Sequence, residues 1–323
     1  MELGKDLSEN KLLENYPEVM ECLLFDNTTK KNIVWGTNNY QSYGKGYFET
    51  DHILVELITG ENGNFIKPRV EKSKKEQQKR SRDMAEVFTP SWVCNKQNNL
   101  VDEKWFGYEN PFNIERENKW VVTSKVNFTS DKTWQDYVDD VRLEITCGEA
   151  PYLVSRYDTV NGEFLPVNNR IGLLDRKLRV INENAKEDEW YSYVVRAYKS
   201  VYGFDFQGDN VLLARENLLF TFMEYYLDRF NQLPSKDKIL EICNIISWNI
   251  WQMDGMKMVV PNSCKNIKTV EYNLFGEEDT NIEECYGCQK DDVYKHNGMY
   301  CEIMDWENDK KVKFVKLFKR WVG

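Results

Sequence analysis

Leu143-Glu144-Ile145-Thr146-Cys147-Gly148-Glu149-Ala150-Pro151-Tyr152-Leu153 is the stretch on which the fold turns. Leu143 to Thr146 reads as a short apolar strand, the residues around Gly148 as a turn, and Pro151 onward as the start of a new element. Gly148 carries no Cβ, so it can take a positive φ and let the turn approach a small ligand. The N–H groups that follow would face that ligand.

Two later segments repeat the pattern of an apolar strand closed by an acid. They are Val201-Tyr202-Gly203-Phe204-Asp205 and Trp248-Asn249-Ile250-Trp251-Gln252-Met253-Asp254-Gly255. Asn210 to Phe230 sets Leu212, Leu213, Glu216, Leu219, Phe220 and Met223 at helical spacing, Ile239 to Ile246 repeats the idea, and Glu187 to Ser200 has the polarity of a surface helix. Alternating strand and helix predicts an α/β fold with a mostly parallel sheet and helices on both faces. Ligands of such sheets sit beyond the carboxyl ends of the strands, where both acids fall. Asp205 is thus expected to accept from both hydroxyls of a ribose, and Asp254 from an exocyclic amine of adenine. Taken singly, each reads equally as a helix cap or turn residue.

Upstream, residues 1–66 read as a small N-terminal α+β unit, with a helix over Asn10 to Cys22 and strands at Ile33 to Trp35 and His52 to Ile58. Val70 to Ala85 predicts a helix, Pro90 halts it, and Ser91 to Leu100 resumes it. Lys104 to Asp131 reads as irregular, and Thr133 to Asp140 as a short helical turn. Residues 67–280 form the expected core, and 281–323 a terminal module with a final strand.

That module is Cys285-x2-Cys288-x7-His296-x4-Cys301. Thiolates and an imidazole at this spacing can close a tetrahedron around zinc. Four ligands leave no open position, so the zinc would be structural. Eight cysteines in 323 residues are too dilute for a disulfide scaffold.

The net charge of −10 argues against indiscriminate coating of nucleic acid, but it does not describe local patches. Lys67 to Arg82 holds eight Lys or Arg against Glu71 and Glu76, and Lys310 to Arg320 holds six with no acid. Each reads as a solvated helix face or as a phosphate contact. No apolar run suits a leader or a membrane span, so a cytosolic protein without membrane contact is expected. The chain has no Gly-x4-Gly-Lys-Ser/Thr loop and no Gly-x-Ser-x-Gly elbow, and two histidines leave little for a Ser/His/Asp site.

The order Phe88-Thr89-Pro90, then Glu144 to Leu153, then Gly203-Phe204-Asp205 with Leu213-Ala214-Arg215-Glu216-Asn217-Leu218, then Gln252-Met253-Asp254, resembles class I adenine-N6 DNA methyltransferases of restriction-modification systems. The phrases Ala85 to Asn95 and Ile145 to Pro151 look like proteins labelled restriction endonuclease subunit M. The resemblance covers roughly residues 70–260. It implies a Rossmann-like core binding S-adenosylmethionine, with Phe88, Thr89, Pro90, Glu144, Thr146 and Gly148 around its methionine end and Asp205 and Asp254 on its adenosine. It also implies DNA, with a specificity or restriction subunit, as partner. The family's Asn/Asp-Pro-Pro-aromatic tetrapeptide is absent, since none of the eight prolines is followed by another. Its nearest substitute is Asp305-Trp306, an acceptor beside a ring that could stack a flipped base. The alternative expectation is a methyltransferase-like subunit that binds cofactor or DNA without transferring a methyl group.

Overall fold

The computed structural model describes residues 9–84, 86–87, 89–272 and 278–318. Arg142–Ile145, Val201–Asp205 and Ile250–Gln252 make a three-stranded parallel sheet, with Val201–Asp205 in the middle. Glu144 lies opposite Gly203, and Phe204 opposite Trp251. The middle strand is covered on both faces, which is why its sequence is nearly continuous in apolar residues rather than alternating. Helices Leu173–Asn184 and Trp190–Lys199 connect the first strand to the second; Gly208–Phe230 and Lys236–Asn249 connect the second to the third. The fold is therefore mixed α/β with a small parallel sheet. Every other strand pair among the described residues is a two-stranded antiparallel ribbon.

Gly208–Phe230 is the central helix. It is buried on nearly every side, with Asp209, Arg215, Glu216 and Asn217 buried among its apolar residues. Its Arg215 is wholly buried and satisfied by carbonyls, donating to Ile250 at 2.8 Å, Leu23 at 2.6 Å, Phe25 at 2.9 Å and Ser247 at 3.2 Å. One guanidinium thus ties the N-terminal segment to the third strand and the helix before it. Leu12, Leu23, Trp35, Ile53 and Ile58 share one hydrophobic cluster with Leu212, Leu219, Ile242 and Ile246. On the opposite face of the sheet, Phe204 and Trp251 pack in a second cluster with Met253, Cys301, Ile303 and Val315.

Several elements differ from the sequence expectation. Pro17 divides the first predicted helix into Glu9–Asn15 and Pro17–Leu24. His52 makes only a bridge to Val34, and Val55–Ile58 is a helical turn. The stretch read as irregular contains the ribbon Asn113–Arg116 with Lys119–Val122. Leu173–Asn184 goes unseen in the sequence because Asp175, Arg176 and Lys177 face inward, which breaks the polarity pattern on which periodicity depends. Among the described residues, no helix is long and apolar enough to cross a membrane.

Candidate functional site

A cavity of about 570 Å³ opens at the carboxyl ends of the first two strands. Thr89, Glu144, Thr146, Gly148 and Asp205 line it, joined by Thr37, Glu86, Glu149, Tyr152, Phe206, Gln207 and Asn210. The turn over its floor places Thr146, Gly148 and Ala150 at φ of 49°, 54° and 61°. Left-handed backbone is strained for a β-branched threonine, so the surroundings must impose it. They do so through two bonds. Cys147 N donates to Phe204 O at 2.8 Å, and Gly148 N to Asp205 Oδ2 at 2.9 Å. A Cβ on Gly148 would meet nothing, so the glycine here serves the turn and faces open space.

Among the described residues, four carboxyl groups line the cavity (Glu86, Glu144, Glu149 and Asp205), and no Lys, Arg or His does. Glu144 accepts the N–H groups of Tyr152 at 3.3 Å and Leu153 at 3.1 Å. Burial nonetheless pushes its carboxyl up to about 8; the two N–H bonds oppose the rise and the nearby Asp205 adds to it. Burial also raises Glu149, although Arg69 N at 2.7 Å and the Tyr157 hydroxyl at 2.8 Å donate to it. Asp205 rises for the same reason; its Oδ1 takes Gln207 N at 2.9 Å and Asn210 Nδ2 at 3.4 Å.

Glu86 is held differently. Its Oε2 accepts Arg80 Nε at 2.7 Å and Gln207 Nε2 at 3.2 Å, while its buried Oε1 accepts from none of the described residues. Arg80 in turn reaches Asp209 at 2.7 Å, and Asp209 takes the Tyr40 hydroxyl at 2.9 Å. Burial alone would raise Asp209, but Arg80 and Lys72 hold it well below the usual carboxylate range.

The remaining expected cofactor residues lie elsewhere. Phe88 falls outside the described residues. Pro90 caps the helix Ser91–Phe106, and its carbonyl accepts Val93 N at 2.9 Å. Asp254, expected to meet adenine, stands in a turn. It accepts the N–H groups of Met256 at 3.1 Å and Lys257 at 3.2 Å, pairs with Lys257, and is not part of the cavity wall. Gln252 closes the end of its strand instead, bonding Val34 N at 2.9 Å, Val34 O at 2.8 Å and Phe206 O at 2.9 Å.

Asp305 and Trp306, expected as the substitute acceptor and ring, stand away from the cavity wall. Asp305 ends the strand Glu302–Asp305, which pairs antiparallel with Lys310–Lys313, and it accepts Asn308 N across that turn at 3.1 Å. Trp306 Nε1 donates to Asn249 Oδ1 at 2.8 Å. The Asn249 amide in turn donates to Tyr198 O and Val201 O, where the middle strand begins. This pair therefore sits at the amino edge of the sheet, opposite the cavity.

The metal-type cluster is built from Cys264, Cys285, Cys288 and His296, whose donor atoms lie within 4.8 Å of one another. Cys264, Cys285 and Cys288 Sγ stand 3.6, 3.8 and 3.6 Å from His296 Nδ1. Ordinary Zn–S and Zn–N lengths on a tetrahedron separate S and N by roughly 3.6 Å, so the donors fit structural zinc. Cys285 would be raised by burial, yet N–H groups from Asn297 and Cys288 and the His296 ring bring it down to about 6. A Cβ on Gly287 would come within 2.7 Å of the His296 backbone nitrogen, so the knuckle requires glycine there. Cys301, expected as the fourth ligand, belongs to the second hydrophobic cluster and donates to Gln252 O at 3.4 Å.

Thr37, Glu86, Gln207, Asn210 and Cys264 are the site residues missed in the sequence. Cys264 carries the one legible signal, a cysteine in polar Pro261-Asn262-Ser263-Cys264, whereas Cys301 sits in an apolar strand run with Ile303. Compared with known proteins, the chain matches no family model, no curated protein and no solved structure.

Proposed function

We propose that the protein binds S-adenosylmethionine at the carboxyl edge of its sheet and serves as a DNA adenine-N6 methyltransferase or as the modification subunit of a restriction or phage-related system. One observation carries the ligand class: among the described residues, four carboxyl groups and no cationic side chain line the cavity. Burial holds three of these carboxyls toward their protonated forms and Arg80 pairs with Glu86, so a ligand with a sulfonium and an ammonium group would be held by drawing them into ionisation, which the phosphates of ATP or a dinucleotide would oppose. The volume suits a nucleoside bearing an amino acid. Phe206, half-buried beside Asp205, offers a flat apolar wall for adenine.

Support for the sheet as half of a Rossmann-like methyltransferase core is its topology. Three adjacent parallel strands in chain order match one half of a doubly wound sheet, whose ligands lie where this cavity lies. DNA as substrate rests on the family resemblance. Zinc at Cys264, Cys285, Cys288 and His296 would be structural, pinning residues 264–301 rather than acting on substrate.

A second reading has its own observation. Among the described residues nothing pairs with the outer edge of the first strand, and Val141 before it and Ile145 at its end are 61% and 65% exposed. Further strands of a doubly wound sheet would pair there, so a partner could complete both sheet and active site, leaving this chain as the binding subunit.

Titration calorimetry tests the shared claim. Saturable heat with S-adenosylmethionine or S-adenosylhomocysteine, and none with ATP or NAD, is the expected result. Equal binding of the phosphate-bearing ligands would sink it. Transfer of a labelled methyl group to DNA by the chain alone supports the enzyme; transfer only with neighbouring gene products supports the subunit.

A further inference from the structure

We infer that the helix Lys74–Met84 and the segment before it form a groove that holds the phosphodiester backbone of DNA beside the cavity. That the polyanion is DNA rests on the reading proposed above; that the groove takes phosphate rests on its own chemistry. Among the described residues, Arg69, Lys74, Gln77, Gln78, Ser81 and Arg82 line a concavity of about 590 Å³, and no carboxyl group does. The cavity at the sheet edge has the opposite character, with carboxyl groups and no cation. Arg69 joins the two. Its N–H donates to Glu149 at 2.7 Å and its guanidinium to the Glu86 carbonyl at 3.1 Å, and both glutamates line the cavity. A strand held by its phosphates in the groove therefore runs alongside the cavity wall.

The floor of the groove is fixed by its own hydrogen bonds. Gln77 Nε2 donates to Arg69 O and Lys72 O, both at 2.9 Å, while Ser81 Oγ accepts from Arg69 Nη2 and donates to Glu86 O, both at 3.0 Å. A helix charged only to stay solvated intersperses both signs and pairs them across its turns. Here the acids are engaged locally. Glu76 accepts the Ser73 N–H at 2.8 Å ahead of the helix, and Asp83 pairs with its neighbour Arg82 at 2.6 Å. Lys74, Lys75 and Lys79 are exposed and make no salt bridge among the described residues. In a chain of net charge −10, a concavity with cations and no acid makes a local field that attracts a polyanion.

The test follows the fluorescence anisotropy of a labelled DNA duplex with the full chain, without cofactor, across a salt series. Wild type should bind, and its affinity should fall steeply as salt rises. Lys74→Gln combined with Arg82→Gln changes two exposed side chains. It should weaken binding roughly tenfold and lower the slope of log affinity against log salt by about two, one for each lost phosphate contact. Asp83→Asn releases Arg82 from its pair and should tighten binding by about twofold, a gain that misfolding cannot imitate. Lys310→Gln combined with Lys311→Gln, in the other basic run, should change neither affinity nor slope. A wild type that leaves the duplex unbound at low salt overturns the assignment. So does loss of binding in the Lys310 and Lys311 variant rather than in the Lys74 and Arg82 variant, or a preference for an RNA duplex or for phosphatidylserine vesicles over the DNA. Cofactor calorimetry reads separately. DNA held through Lys74 and Arg82 by a chain that gives no heat with S-adenosylmethionine removes the methyltransferase and keeps the groove, whereas cofactor heat with DNA binding indifferent to Lys74 and Arg82 removes the groove alone.

Discussion

The cavity and the cysteine cluster place polar atoms in opposite states. In the cavity, Glu144 accepts the N–H of Leu153, Glu149 that of Arg69 and Asp205 that of Gly148, so the walls stand without a ligand; among the described residues, Glu86 Oε1 has no donor. In the cluster, three sulfurs and a ring nitrogen converge within 4.8 Å, and Cys285 takes a backbone N–H from Asn297 at 3.1 Å. Four donors that crowd together need a common cation, whereas carboxyls that hold a turn need none. The cavity is preformed, and the cluster depends on its guest.

The largest expected effect tests that dependence. Purified protein should carry about one zinc per chain; Cys264→Ser should lose it and Cys301→Ala should keep it, as read by metal analysis. Chelation should abolish hydrogen-exchange protection over residues 285–297, because structural zinc binding is worth about 10–16 kcal/mol in small modules of this type. Retention of metal by Cys264→Ser with loss in Cys301→Ala would restore the spacing read from the sequence and remove the cluster.

Next in size is the titration of Glu144. Its folded carboxyl lies near 8, against 4.5 for an ordinary glutamate, and is raised chiefly by burial. Between those values the folded chain holds a proton that the unfolded chain has lost, so stability falls as pH rises from about 4.5 toward 8. The slope reaches about 1 kcal/mol per pH unit. Glu144→Gln should flatten the curve of denaturation midpoint against pH in that window. A cationic ligand favours the ionised carboxyl, so S-adenosylmethionine should bind more tightly toward pH 8 and release a proton, seen as heat that varies with buffer ionisation. A pH-independent affinity would separate Glu144 from the ligand.

The same contrast explains what the sequence revealed. Thr89, Glu144 and Thr146 were expected through the family resemblance, whereas Gly148 and Asp205 were legible because a strand followed by a glycine turn or an acid is a local signal and parallel pairing brings strand ends together. Glu86, Gln207 and Thr37 were not, since their roles come from packing: Gly208 N donates to Trp35 O at 3.1 Å, which folds the N-terminal segment over the cavity. Cys264 and Cys285 stand on either side of the ribbon Ile267–Tyr272 with Glu278–Glu283, so spacing along the chain hides their proximity. Asp254 and Asp305 look like strand-end acids in sequence; Asp305 does end a strand and Asp254 follows one by two residues, but both close turns rather than line the cavity.

Trp306→Phe comes next. It removes the donor to Asn249 Oδ1 at the amino edge of the sheet and leaves that acceptor unpaired. About 1–2 kcal/mol of stability should go, lowering the melting temperature by several degrees, while methyl transfer and ligand affinity stay unchanged. A loss of transfer by orders of magnitude at constant stability would return Trp306 to the reaction.

Asp254→Ala is the smallest effect and the sharpest comparison with Asp205, because Asp205 ends its parallel strand and Asp254 lies two residues beyond the end of the next. Asp254 accepts two turn N–H groups and pairs with a lysine that is largely solvent-facing, so its removal should cost about 1 kcal/mol of stability. Asp205 accepts from the cavity turn itself, so Asp205→Asn should weaken every cavity ligand. Adenosine-type ligands should therefore bind Asp254→Ala as they bind the wild type, within about twofold. If affinity instead falls tenfold and adenine analogues lacking the 6-amino group are indifferent to the change, Asp254 meets the base after all. The third strand would then have to turn toward the cavity on binding, breaking the Gln252 bonds to Val34 and Phe206 that now close it.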